Sequence, residues 1–227
     1  MISVVIPALN VEAALARTLA ALVPAAVEGL IKEVIIVDGG STDGTAMVAD
    51  EAGARLVRAR RGRGSQLAAG AEAARGEWLL FLHADTIIEP GFEAEVFEYC
   101  GRTNPAETEA AVFRLQLDDN GPMARMLEAV VRLRTWAFGL PYGDQGLLIG
   151  AAAYQRLGGY RPLPLMEDVD LVRRLGRRRL TRLRSKARTS AERYRRDGYV
   201  RRMARNSVCL ALYFAGVAPQ RIARLYG

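Results

Sequence analysis

Short β-branched runs alternate with stretches of helical spacing through the first third of this sequence. Ser3 to Pro7 and Glu33 to Asp38 read as strands, and Val11 to Ala26 between them carries Leu15, Leu19 and Leu22 at helical intervals, so the three form a βαβ unit. The rhythm continues with a helix from Thr42 to Gly53, a strand from Arg55 to Arg58, a helix from Ser65 to Ala74 and a strand from Trp78 to His83. Gly53 and Gly76 stand where helices stop. Strands that alternate with helices in this way predict a mostly parallel α/β sheet covered on both faces.

After His83 the rhythm changes. Glu109 to Leu117 reads as a further strand, Met123 to Ala137 as a helix, Gln145 to Ile149 as a short strand, Glu167 to Arg178 as a helix and Leu180 to Arg184 as a strand. Asp197 to Tyr226 reads as a helix, a break at Gly216 and a short helix opened by Pro219. No linker rich in Pro, Gly or Ser divides the chain, so residues 1–227 are expected to form one domain with two halves, 1–119 and 120–227.

The 227 residues are 50% hydrophobic and 25% charged, enough for a sizeable core, which excludes disorder and fibrous repeats. The best apolar run, Val208 to Ala218, is about half of the ~20 residues that a spanning helix needs, and it contains Tyr213 and Gly216. The start lacks the basic head and cleavage site of a secretory signal, so a cytoplasmic location is expected. Cys100 and Cys209 stand alone, without the spacing of a disulfide framework or a zinc site, and read as buried small residues.

Charge is unevenly distributed. Residues 1–172 carry 15 basic and 23 acidic side chains, whereas 173–205 carry 14 Arg, Lys186, and only Glu192 and Asp197 against them. Such a block is a solvated basic face or a surface for an anionic partner: anionic lipid, a phosphorylated substrate or nucleic acid. The helix after Asp197 mixes Arg201, Arg202 and Arg205 with Tyr199, Met203 and Phe214, so it either docks on the body of the domain or lies at the inner face of a membrane. Nucleic acid is not expected, because neither regular aromatic interleaving nor a helix-turn-helix or zinc signature is present.

Ligands of open parallel sheets bind outside the carboxyl ends of the strands. Three such ends are polar here: Pro7-Ala8-Leu9-Asn10, Asp38-Gly39-Gly40-Ser41-Thr42-Asp43-Gly44-Thr45 and His83-Ala84-Asp85-Thr86. Asp38 suits a base or ribose, Gly39 and Gly40 permit close backbone approach, and Ser41 and Thr42 suit helix capping; a plain strand-to-helix turn is the other reading. Asp85 suits a hard divalent cation that bridges phosphates. His83 is the single histidine, which leaves a Ser-His-Asp or Cys-His mechanism without support. Glu167 and Asp168 open a helix, where its dipole favours negative charge, and one of them can serve as a general base. The dinucleotide and P-loop signatures are missing.

In this order the motifs resemble the family 2 glycosyltransferases of GT-A fold, over nearly the whole chain. Ser3 to Asn10 matches the opening strand, Val37 to Thr45 the nucleotide-binding turn, Phe81 to Thr86 takes the place of the Asp-x-Asp metal motif, and Gly158-Gly159-Tyr160 with Glu167-Asp168 is similar to the acceptor-side motif. Pro141-Tyr142-Gly143-Asp144-Gln145 and His-Ala-Asp-Thr are more similar to a small bacterial subgroup, the radical-SAM/selenodomain-associated transferases. The resemblance implies a nucleotide-sugar donor held by Ala8, Asp38, Gly40, Arg63, Gln66 and Ala84, and a Mn or Mg ion on Asp85 with His83. It also implies Asp168 as the base with Glu167 beside it, and inversion at the anomeric carbon. Two departures accompany it: His83 stands where the family has a carboxylate, and Val11 interrupts the common Asn-Glu-Glu run. A nucleotide-sugar-binding module without turnover is the alternative, and a polyprenyl phosphate acceptor would need less help from a base.

Overall fold

The structure, a computed structural model, describes residues 1–226. Among these residues eight strands and ten α-helices follow one another, beginning with β1 (Ile2–Ala8), α1 (Glu12–Val27), β2 (Ile31–Asp38), α2 (Thr45–Glu51), β3 (Arg55–Arg58), α3 (Arg63–Ala73), β4 (Trp78–Phe81), β5 (Thr86–Ile88) and α4 (Phe92–Arg102). Then come β6 (Ala110–Leu117), α5 (Pro122–Phe138), β7 (Leu147–Gly150), α6 (Ala151–Arg156), α7 (Glu167–Leu175), β8 (Leu180–Thr189), α8 (Glu192–Asp197), α9 (Tyr199–Phe214) and α10 (Pro219–Tyr226). The strands form one sheet in the order β3-β2-β1-β4-β7-β6-β8-β5. β1 to β4 are mutually parallel, as the βαβ rhythm predicts, and β7 turns antiparallel to both β4 and β6. This is an α/β fold, parallel in its core and flanked by helices, as the GT-A resemblance implies.

Strand period two explains why the sheet is covered twice. Ile2, Val4 and Ile6 of β1 point with Ile36 and Leu80 into one core, which α1 closes with Leu15, Leu19 and Leu22. Val5, Ile35, Val37, Leu79 and Phe81 point into the other, closed by Leu67 of α3 and Leu171 of α7. Each such side chain, once fully buried, contributes about 1.5–3 kcal/mol of transfer free energy.

Four elements went unread in the sequence: β5, α4, α6 and α8. α4 had a signal, since Phe92, Val96 and Tyr99 share one helical face and are all buried. Other boundaries move for identifiable reasons. β4 stops at Phe81, because His83 and Ala84 turn out of the sheet; the Ala84 carbonyl accepts the buried Thr18 hydroxyl at 2.8 Å. α7 stops at Leu175, before Gly176 with its φ of 88°. β8 runs on to Thr189, pairing parallel with β6 and antiparallel with β5, so exposed Arg and buried Leu183 and Ala187 share a strand. Gly76 ends no helix, since α3 has already ended at Ala73. Cys209 is buried as expected, whereas Cys100 is half-buried; both are free. No helix among the described residues is long and apolar enough to cross a membrane.

Candidate active site

β1 and β2 end in register, with Ala8 paired to Asp38, and their loops lock onto one another. Asn10, in the left-handed region at φ 52°, accepts the Thr42 N–H at 2.8 Å and donates its own N–H to Ser41 Oγ at 2.9 Å. Glu12 accepts the Gly44 N–H, and Thr45 Oγ1 accepts the Val11 N–H. Ser41 and Thr42 therefore serve this cross-loop lock and do not cap α2, contrary to the sequence reading. Gly44 stands at the N-cap of α2; Asp43 before it accepts from the Thr45 N–H and hydroxyl, the hydroxyl bond being the main force that holds its carboxyl below the ordinary range. Gly40 has φ 98°, which a side chain strains.

A cleft of about 890 Å³ runs along the strand ends and brings Ala8, Arg63, Gln66, His83, Ala84 and Asp85 together. Asp38 and Gly40 are not in its lining. Asp38 is buried, and its Oδ1 accepts the Ser41 N–H. Gln66 spends both amide hydrogens on the carbonyls of Ala8 and Val37, at 2.8 and 2.7 Å, so it ties the two strand ends from within the core.

The cleft continues, past Arg63, His83, Asp85, Ser190 and Arg193, into an inner cavity of about 130 Å³. Asp168 and Glu167 enter it from the start of α7, where Met166 takes a left-handed φ of 65°. Strain of this kind costs of order 1–3 kcal/mol and collects at functional sites. Asp168 is held by two N–H groups, Gly143 on Oδ2 at 2.8 Å and Val169 on Oδ1 at 2.7 Å. Glu167 is only 2% exposed, and Arg63 Nη1 lies 3.5 Å from its Oε1. Burial first, then the Asp168 charge, push its carboxyl up to about 7, with Arg63 pulling back. Burial opposes the charge on Arg63, but Glu167 and Asp168 more than restore it.

Asp170 faces elsewhere. It pairs with Arg174 at 2.6 Å and Arg161 at 3.3 Å, and Arg174 also donates to the carbonyls of Leu157 and Gly159. Two residues of helix set Asp170 about 200° from Asp168, so the two cannot face one acceptor, and this clamp holds the Gly158-Gly159-Tyr160 loop.

The sequence assigned no role to several residues that the cavity uses. Gly143 is one: a Cβ there would lie 2.5 Å from His83 Nε2, so only glycine lets this segment close over the imidazole. Asp144 is another, its carboxyl raised to about 6 by burial and by Asp168 and Asp85, with Arg134 opposing. Both stand in Pro141-Tyr142-Gly143-Asp144-Gln145, so the motif itself was the available signal. Arg193, Arg202, Asn206 and Tyr226 of the C-terminal helices complete the wall. Arg202 is 7% exposed and pairs with Asp197 at 2.8 Å, which shows that the basic segment is not one solvated face. α9 docks by Cys209, Met203 and Leu210.

The lining suits a divalent cation. Among the described residues no three His, Cys, Asp or Glu side chains gather closely enough to hold an ion alone. Asp85 nevertheless lines both spaces, and beside it the buried Nε2 of His83 has no hydrogen-bond partner. Burial, then Arg63 and Arg193, push that imidazole well below its ordinary range, so it stays neutral with a lone pair to offer. One carboxylate and one imidazole fit Mn or Mg, ions that usually share their coordination with substrate phosphates.

The family model described as Glycosyl transferase family 2 matches residues 3–135. Among curated proteins, the chain is 38% identical over 95 residues to glucosyl-3-phosphoglycerate synthase of Mycobacterium tuberculosis, covering 38% of this chain and 29% of that one. It is 34% identical over 121 residues to a PGL/p-HBAD biosynthesis glycosyltransferase of Mycobacterium bovis, covering 47% and 44%. The chain thus spans less than half the length of these relatives. Among solved structures, the Mycobacterium tuberculosis synthase in complex with Mn2+, UDP and glucosyl-3-phosphoglycerate superposes with a TM-score of 0.57 at 25% identity, over 84% of this chain and 70% of that one. The same enzyme has also been solved with Mn2+, UDP and phosphoglyceric acid, with a TM-score of 0.57 at 26% identity over 81% and 68%.

Proposed function

This chain belongs to glycosyl transferase family 2, and from that premise we propose that it transfers a sugar from a nucleotide-sugar donor, of the UDP type, to an acceptor hydroxyl or lipid phosphate with inversion. The observation that carries the reading is the meeting of Asp85, Glu167, Asp168 and Arg63 in one cavity that opens directly into the strand-end cleft. The His-Ala-Asp-Thr and Pro-Tyr-Gly-Asp-Gln forms support membership of the radical-SAM/selenodomain-associated subgroup.

The nucleoside lies along the cleft at Ala8, with Asp38 and Gly40 shaping its rim and Gln66 supporting it, and Ala84 and Asp85 meet the diphosphate. Asp85, with His83, holds the divalent cation, which when bound offsets the charge of the leaving diphosphate. Arg63 and Arg193 add positive charge on the same path. Asp168, its carboxylate aimed by the Gly143 N–H, takes the acceptor proton while the acceptor oxygen attacks the anomeric carbon from the face opposite the departing diphosphate. That single displacement inverts the configuration.

The test is a thermal-shift screen of nucleotide sugars with and without Mn, followed by release of nucleoside diphosphate. A ligand that binds only the native state raises its melting temperature by mass action. The expected result is a Mn-dependent shift with UDP-sugars, turnover in the presence of acceptor, and loss of both Mn dependence and turnover in Asp85→Asn. A shift without any turnover makes the chain a binding module, and no shift with any nucleotide sugar overturns the reading.

A further inference from the structure

Helix α5 has two apolar faces, and the fold uses one. Ala124, Leu127, Val131 and Thr135 are buried against the sheet. Met126, Val130, Leu133 and Trp136 fall within about 120° of one another on the opposite side, at 100° per residue, and are 44%, 46%, 60% and 55% exposed. Phe138 at the helix end is 67% exposed. A contiguous apolar stripe of this size is uncommon on a surface that meets only water and marks an interaction site.

Its border identifies the partner. Along one flank, between α5 and β8, runs a groove of about 560 Å³ with Arg114, Arg132, Arg182 and Arg184 in its lining. All four are exposed, and none is in an ion pair among the described residues. The one carboxylate in that lining, Glu128, is already engaged by Arg125 at 3.0 Å. Beyond the helix end, Arg177 lies over the Trp136 ring at 5.9 Å, and one turn earlier Arg173 lies over Phe214 at 4.8 Å. A stripe of Leu, Val, Met and Trp edged by unpaired guanidinium groups matches a lipid interface with phosphate head groups above it. A symmetric dimer through the same face would set these arginines near their own copies, which like charge opposes.

We propose that the exposed face of α5 docks this protein on an anionic membrane surface. Leu133 and Trp136 enter the interface, and Arg132, Arg182 and Arg184 meet the head groups. The groove lining includes Gln145, whose Oε1 accepts the Thr135 hydroxyl at 3.0 Å and whose neighbours Gly143 and Asp144 line the cavity. Docking therefore sets the bilayer against the segment that closes the reaction cavity. The inference stands on the surface alone and does not depend on which reaction the cavity performs.

The chain carries two tryptophans, and Trp78 is 3% exposed, so a change in emission on adding vesicles reports Trp136. The experiment is flotation and fluorescence of the full chain with phosphatidylcholine vesicles, with and without phosphatidylglycerol. Binding is expected only to the anionic vesicles, with a blue shift, quenching by brominated lipid and weakening at high salt. Leu133→Ser with Trp136→Ser should weaken flotation by about tenfold, as should Arg182→Glu with Arg184→Glu. These positions are exposed, and unchanged thermal melts will confirm that the variants fold. Absence of anionic-vesicle binding overturns the proposal, and so does binding that survives both variants; its loss in Val200→Ser with Val208→Ser would then move the contact to α9. A dimer that Leu133→Ser with Trp136→Ser dissociates, without vesicle binding, would assign the face to self-association.

Discussion

The strand-end cleft and the cavity behind it differ in how their polar groups are satisfied. On the two adjoining loops that frame the cleft, Asn10, Ser41, Thr42, Asp43 and Thr45 all meet partners, most of them across the loops. In the cavity, His83 Nε2, Asp144 Oδ1 and Glu167 Oε1 are buried without a hydrogen-bond partner, and two carboxyls are raised toward neutrality. A buried polar group without a partner costs about 1–3 kcal/mol, so a fold keeps three together only where something else will meet them. The first region is a finished frame that shapes the approach of a ligand. The second is a set of buried polar groups without partners, which is the reason for the proposal that the chemistry takes place there.

The sharpest way to break this contrast is Asp168→Asn. If Asp168 is the base, turnover should fall by about 10²–10⁴-fold while calorimetry finds diphosphate affinity close to that of the native chain, since the cleft is untouched. Turnover that survives in Asp168→Asn but collapses in Glu167→Gln would move the base to Glu167, whose carboxyl already titrates at about 7. A large loss of diphosphate affinity would instead mean that the two regions do not divide the work.

A smaller effect tests whether the cavity is costly at all. Asp144 has an ordinary value of 3.8 and is raised to about 6 in the fold. The native state therefore holds this proton more tightly than the unfolded chain, so its stabilising contribution is complete below about pH 4 and is lost as pH rises through 6. A shift of about two units corresponds to at most about 3 kcal/mol. Urea unfolding of the metal-free chain should show the native protein losing stability between about pH 4 and pH 7, with a shallower slope below pH 6 in Asp144→Asn. A residual slope in the variant belongs to Glu167, which has the same sign. Parallel pH profiles for the two proteins would remove Asp144 from the buried acids.

The same contrast explains what could be read from the sequence. The strands of the parallel core, the three polar strand ends and the Glu167-Asp168 helix start were legible, because period two, period 3.6 and the glycine-rich turn are all local patterns. Asp170 could be set aside by helical angle alone, and the Arg174 clamp accounts for it. The cavity wall was not legible. Gly143 matters because His83, 60 residues earlier, comes within a methyl group of it. Arg202 and Tyr226 line the cavity only because α9 and α10 fold back over α7. The basic segment misled for a related reason: a count of arginines does not distinguish Arg202, buried on Asp197, from Arg182, exposed beside a groove. β8 was cut short because its arginines masked the alternation of Leu183, Ala187 and Thr189.

The smallest predicted effect concerns Gln66, which the family resemblance assigns to the donor and the geometry ties to the frame. Its two amide hydrogens are spent on Ala8 O and Val37 O, its side chain is 4% exposed, and the Gly39 N–H separately donates to Ala8 O at 2.9 Å. Removing the amide takes away two buried hydrogen bonds but leaves the Ala8 carbonyl one partner, so Gln66→Ala should cost about 1–3 kcal/mol of stability. The strand ends it braces carry the loops at Asn10 and Gly40, yet those loops also hold one another through Asn10 and Glu12. Diphosphate affinity should therefore fall by less than about threefold, well under the tenfold that 1.4 kcal/mol would produce. Denaturant unfolding and calorimetry on the same preparation separate the two roles. A stable variant that binds diphosphate tenfold more weakly would show that the remaining Gln66 Oε1 touches the donor, and that the cleft is less finished than its hydrogen bonds indicate.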